Sequence, residues 1–119
     1  MTTVLVVDDE SGVRDLLSDA LRFAGYETEV ASQGREALEI WRLKRIDLCV
    51  VDINMPTMDG FEFLETVRKS DLTTPILLLT TESDPTVKAR GRAAGATGWI
   101  VKPFTQEQLL AIVSRVLPQ

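Results

Sequence analysis

VLVVDDES, residues 4–11, is the stretch from which the fold can be read: four apolar residues run straight into Asp8 and Asp9, with Glu10 behind them. An aliphatic run without polar alternation reads as a short strand covered on both faces. The period then changes. Val13, Leu16, Leu17, Ala20, Leu21 and Ala24 recur at the spacing of one helix face. Ser11 stands where an N-cap belongs and Gly25 where a helix stops. Two adjacent carboxylates at the mouth of a buried strand repel each other and resist desolvation, so the arrangement needs a compensating partner.

The same alternation continues along the chain. Residues 27–31 (ETEVA) read as a second strand, and Gly34 turns the chain into a helix carrying Ala37, Leu38 and Trp41. LCVV at 48–51 is a third strand, ending at Asp52. A helix follows over about 60–69, with Phe61, Leu64 and Val67 inward. ILLL at 76–79 is a fourth strand, ending at Thr80, and 84–94 reads as a helix interrupted by Gly91. A short fifth strand over 98–101 precedes a last helix over 105–117, with Leu109, Ile112, Val113, Val116 and Leu117 on one side. Five strand–helix pairs imply an α/β fold with helices on both faces of a parallel sheet and right-handed crossovers. The expected architecture is a flavodoxin-like, doubly wound, five-stranded sheet in the order 2-1-3-4-5 with five helices. Its site should lie beyond the carboxyl ends of the strands, where strands 1 and 3 part. The 119 residues suit one domain spanning 1–119.

Composition narrows the function. A net charge of −5 argues against non-specific nucleic-acid binding, which needs clustered Lys and Arg. No apolar run approaches the roughly 18 residues of a membrane span, and the start, MTTVLVVDDE, lacks a signal peptide's basic region. Cys49 is the only cysteine and sits in an apolar run, so a buried free thiol is expected. These features suit a cytoplasmic protein. There is no histidine, which excludes histidine acid–base chemistry and histidine metal sites within the chain.

In the expected strand order, Asp8, Asp9, Asp52, Thr80, Thr81 and Lys102 converge on one sheet edge. Three carboxylates cannot share a small cleft in ionised form without a cation. A hard divalent ion resolves the conflict: Mg²⁺, with Mn²⁺ as the alternative, prefers oxygen ligands and keeps several waters. Lys102 and Thr80 are poor ligands for such an ion but good partners for phosphoryl oxygens. Together these groups describe a phosphoryl-transfer site, with Asp52 on the central strand as candidate nucleophile.

DDE at 8–10, DINMPTMDG at 52–60, TTE at 80–82 and KPF at 102–104 resemble, in order and spacing, the receiver domain of two-component response regulators. The resemblance implies that Asp52 is the phosphoacceptor and that a sensor histidine kinase is the donor, supplying the histidine this chain lacks. It implies that Asp9 binds Mg²⁺ directly, that Asp8 does so directly or through water, and that the backbone carbonyl of Asn54 is a further ligand. Lys102 would pair with the phosphoryl group. Thr80 would hydrogen-bond that group and shift, and Trp99 holds the place of an aromatic switch residue. The Lys102–Pro103 bond is expected to be cis. The last third resembles chemotaxis receivers of the CheY type, in which Asn54 and Glu82 would position the water for self-dephosphorylation. The first half is closer to receivers fused to winged-helix DNA-binding domains. The expected action is docking on a downstream protein, such as the flagellar motor switch, through the fourth helix, fifth strand and fifth helix. No direct nucleic-acid contact, membrane insertion or conventional enzymatic turnover is expected. The last helix is expected to end about two residues before the chain, without an output domain. The alternatives are a receiver taken from a DNA-binding regulator and an engineered receiver hybrid.

Structural readings stand beside these. An Asp before a helix is often only an N-cap. Asp59-Gly60 reads as a turn and helix start. Trp99 could simply pack, as aromatic residues in strands do, and Trp41 should cover the core from the second helix. Lys88, Arg90 and Arg92 form either a solvated helix face or a docking patch. A flavodoxin-type mononucleotide binder would need a phosphate loop after the first strand, where this chain has acids. A phosphatase of the haloacid dehalogenase type would carry its nucleophile there in a D-x-D arrangement, whereas here the acids are adjacent.

Overall fold

The computed structural model describes residues 1–81 and 85–117. Strands and helices alternate throughout: β1 Thr3–Val7, α1 Ser11–Phe23, β2 Glu27–Ala31, α2 Gly34–Leu43, β3 Leu48–Asp52, α3 Gly60–Arg68, β4 Ile76–Thr80, α4 Pro85–Ala94, β5 Gly98–Val101 and α5 Gln106–Val116. The strands form one parallel sheet in the order β2-β1-β3-β4-β5, as the alternation implies.

The unbroken apolar strands are covered on both faces. Leu5, Val7, Cys49, Val51, Ile76 and Leu78 pack toward α2 and α3, meeting Ala37, Phe63, Leu64 and Val67. Val4, Val6, Leu48, Val50, Leu77, Leu79 and Ile100 pack toward α1 and α5, meeting Leu17, Leu21, Leu109 and Val113. Fully burying each such side chain contributes roughly 1.5–3 kcal/mol against chain entropy. Cys49 is a buried free thiol, and burial pushes its pKa well up, so it stays protonated.

Four details depart from the periodicity. Glu10, not Ser11, is the N-cap of α1, and its side chain makes no capping bond. Leu16 is 53% exposed; it stands about 100° around the helix from Leu17, at the edge of the apolar stripe. Ala24 is exposed as well, because the helix ends there and the chain turns toward β2. Phe63 lies outside the expected inward set of α3, yet it is fully buried. Its ring meets Trp41 edge-on at 6.1 Å and 73°, so Trp41 covers the core from α2.

Candidate functional site

The carboxyl ends of β1, β3, β4 and β5 meet at one edge, and each delivers a polar residue there. Asp8 continues β1, its amide donating to the Ala31 carbonyl at 3.1 Å. Its side chain is fully buried. Asp8 Oδ1 accepts from the Glu10 amide at 2.9 Å. Asp52 ends β3, is 5% exposed, and accepts from the Asn54 amide through Oδ1 at 3.0 Å. Each acid thus turns one oxygen onto the backbone two residues on and leaves the other for the cleft.

Lys102, just beyond β5, occupies the space between those free oxygens. Its Nζ lies 3.2 Å from Asp52 Oδ2 and 3.4 Å from Asp8 Oδ2. Burial works against the Lys102 ammonium, but the two carboxylates outweigh it and its pKa is raised. Burial, helped by the charge of Asp52, raises the Asp8 pKa despite the Glu10 amide and Lys102. Asp9 is exposed, yet Asp8, Asp9 and Asp52 each offer an oxygen within 4.8 Å of the others. Three carboxylates face one ammonium, and this all-oxygen donor set fits a hard divalent cation.

Thr80, fully buried, ends the neighbouring β4. Its carbonyl accepts from the Lys102 amide at 2.7 Å, which ties the tip of β5 to that of β4. Thr81 is exposed, as is Asn54. The Lys102–Pro103 peptide bond is cis. Trp99 is not at this edge. It lies opposite Leu78 in the β4–β5 register and packs on the α3/α4 side of the sheet. Glu82 lies outside the described residues. The chain therefore brings together Asp8, Asp9, Asp52 and Lys102, with Thr80 at the adjoining strand end.

The loop after Asp52 is pinned rather than free. Gly60 opens α3 so close to the strand end that a Cβ there would stand 2.7 Å from the Asp52 carbonyl oxygen and from Ile53 Cα. The Gly60 amide donates to the Ile53 carbonyl at 3.1 Å. Asp59 caps α3, accepting from the Glu62 amide at 2.9 Å, so Asp59-Gly60 is a helix start. Of the basic patch, Arg90 lies 4.2 Å over the Phe61 ring, Arg92 is exposed and Lys88 is half-buried.

One residue near the site escaped sequence reasoning. Arg14 donates through Nη1 to the Asp8 carbonyl at 2.8 Å, bracing the acid-bearing loop from the first turns of α1. Nothing in spacing or composition distinguishes it from any solvated helix arginine.

With this geometry in view, the likeness to known proteins is specific. The family described as response regulator receiver domain matches residues 4–114. The chemotaxis protein CheY4 of Vibrio cholerae, in its low-pH crystal structure, is 50% identical, with 98% of this chain and 99% of that one covered and a TM-score of 0.96. Response regulator MprA of Mycolicibacterium vanbaalenii is 40% identical over 96% of this chain and 49% of its own length. The regulatory protein AtoC of Escherichia coli is 37% identical over 96% of this chain and 25% of its own. The chain thus spans half or less of the length of these curated relatives. By the family match over residues 4–114 and the close structural likeness, this chain belongs to the response regulator receiver domains of two-component signalling.

Proposed function

We propose that the chain is a phosphorylation-controlled switch in which Asp52 accepts a phosphoryl group from a sensor histidine kinase. The observation that carries this reading is the Lys102 ammonium, 3.2 Å from Asp52 and 3.4 Å from Asp8 at the strand tips. A nucleophilic carboxylate gives a product that carries more negative charge than the free side chain, and the Lys102 ammonium beside it stabilises that charge.

The chain's own residues divide the work. The Asn54 amide fixes Asp52 Oδ1 and so orients the carboxylate. An Asp52 oxygen attacks phosphorus, a P–O bond forms and the P–N bond of the donor phosphohistidine breaks. The electron pair of that bond stays on the imidazole, which belongs to the partner because this chain has no histidine. Lys102 moves its hydrogen bonds from carboxylate to phosphoryl oxygens, and the Thr80 hydroxyl donates to another. Asp9, Asp8, Asp52 and the Asn54 carbonyl would hold Mg²⁺ or Mn²⁺, which when bound neutralises charge on the phosphoryl oxygens. In the return step a water oriented by Asn54 and Glu82 attacks phosphorus. The acyl phosphate P–O bond breaks, its electrons return to Asp52 and inorganic phosphate leaves. The group passes through the chain's own aspartate, so the chain is a switch rather than a conventional turnover enzyme.

Phosphorylation gives Thr80 and Lys102 a differential reason to prefer one arrangement, and Trp99 follows, changing the α4–β5–α5 surface. The 50% identity to a protein named for chemotaxis supports docking on a protein target of the flagellar motor switch type. A second reading is favoured by curated relatives such as the transcriptional regulatory protein TrcR of Mycobacterium tuberculosis, 40% identical over 91% of this chain and 42% of its own length. In that reading the receiver controls a DNA-binding output. No described helix is long and apolar enough to cross a membrane, and we place the switch in the cytoplasm with its kinase's catalytic part. Labelling by acetyl phosphate in Mg²⁺ tests the phosphoacceptor. Pull-down of partners with Mg²⁺ and beryllofluoride separates a motor-switch target from a transcriptional one.

A further inference from the structure

α4 is thinly attached: Gly91 is its one buried residue, with Val87 and Ala94 only partly covered. That glycine weakens the helical signal of the sequence, since glycine in a helix interior is less favourable than alanine. Its surroundings explain why it is there. A Cβ at 91 would overlap Trp99 Cη2 and lie 2.7 Å from Trp99 Cζ2 and 2.9 Å from Leu78 Cδ1. The outer edge of the indole therefore fills the space that any side chain at 91 would need. Trp99 also lines a groove of about 590 Å³ that runs past Pro103, Phe104, Ala111, Ile112 and Arg115 along α5.

We propose that Gly91 is a positioning residue that seats Trp99 against α4, so that the size of the side chain at 91 sets how far the ring rests there or is displaced toward the α5 groove. This rests on the reading of Trp99 as the element that relays phosphorylation to the surface. The seat belongs to the resting protein and can be tested without phosphorylation. A side chain at 91 would push the ring from its seat. A smaller ring at 99 would not reach Gly91, and a methyl group there would be tolerated.

The test uses the full chain in a Trp41→Phe background, where Trp99 is the sole tryptophan, with no metal or phosphodonor. Gly91→Ala, Trp99→Phe and the double variant are compared by urea unfolding. Gly91→Ala and its parent, which keep the indole, are also compared by Trp99 emission and iodide quenching. The expected result for Gly91→Ala is a red-shifted emission, a severalfold larger quenching constant and a lower urea midpoint. In the Trp99→Phe background the same substitution should raise the midpoint, because helix propensity is gained and no indole stands in the way. Addition of Mg²⁺ and beryllofluoride should then change the quenching of Gly91→Ala much less than that of its parent. If Gly91→Ala fails to fold and Trp99→Phe restores folding, the size relationship stands. If Gly91→Ala leaves quenching unchanged, or the double variant is no better than Gly91→Ala, the seat is refuted and Leu78 becomes the reason for the glycine. Loss of the beryllofluoride response in the parent itself, with the seat results intact, would count against the switch reading alone.

Discussion

Lys102 Nζ lies 3.2 Å from Asp52 Oδ2, joining residues that are 50 positions apart in the chain. The Lys102 side chain is 19% exposed and that of Asp52 7%, so water screens the pair only in part. The same ammonium also reaches Asp8, which makes it the one described cation within ion-pair distance of either buried acid. Lys102→Ala leaves two buried carboxylates uncompensated and should lower the stability of the metal-free protein by about 1–3 kcal/mol. Urea unfolding checks this, and partner binding in beryllofluoride should lose most of its increase even where Asp52 can still be labelled.

Asp8 should behave in the opposite sense. Its pKa is raised by burial and by Asp52, so the folded state holds the proton more tightly than the unfolded chain. Stability from this group is fully present below the unfolded value near 3.8 and is lost as pH rises through the higher folded pKa. Asp8→Asn should therefore stabilise the metal-free protein at neutral pH, on the order of 1 kcal/mol, while weakening its affinity for Mg²⁺. Denaturation across pH without metal, followed by a Mg²⁺ titration, measures both effects.

Asp71 shows the reverse linkage away from the site. Its Oδ1 accepts from the Thr73 and Thr74 amides at 3.1 and 3.0 Å, and its Oδ2 from the Thr74 hydroxyl at 2.6 Å. Burial opposes its charge, but these donors outweigh it and the pKa is lowered. Its contribution is present above the unfolded value near 3.8 and lost as pH falls through the folded pKa. Asp71→Ala should cost about 1 kcal/mol at neutral pH, a deficit that shrinks in acid when the two proteins are unfolded side by side.

Thr28 carries an avoidable cost. It is 9% exposed on β2, and its hydroxyl oxygen has no hydrogen-bond partner among the described residues. Val keeps the branched shape and removes the unsatisfied group, so Thr28→Val should stabilise by about 1 kcal/mol. A higher urea midpoint with an unchanged slope is the expected reading.

Much of this was legible in the sequence for a physical reason. β1, β3 and β4 are buried on both faces, so Val4–Val7, Leu48–Val51 and Ile76–Leu79 could be read without knowing what covers them. Once the strand order follows, Asp8, Asp52, Thr80 and Lys102 must gather, because each ends or follows a strand of the same sheet. What escaped depends on neighbours rather than on period. Leu16 and Phe63 both lie at the margin of an apolar stripe, and packing alone decides that one is exposed and the other buried. Arg14 matters through one bond to a backbone carbonyl. Gly91 reads as a flaw in a helix, and only the Trp99 ring packed against it accounts for the glycine.

The central claim is that Asp52 carries the phosphoryl group. The most direct measurement is labelling of the wild-type chain with acetyl phosphate in Mg²⁺, followed by peptide mapping of the label, with Asp52→Asn and a chelator control alongside. A single phosphoryl group on the peptide containing Asp52, absent from Asp52→Asn and without the divalent ion, is the predicted result. Label that persists at the wild-type rate in Asp52→Asn, or that maps to another residue, would contradict it.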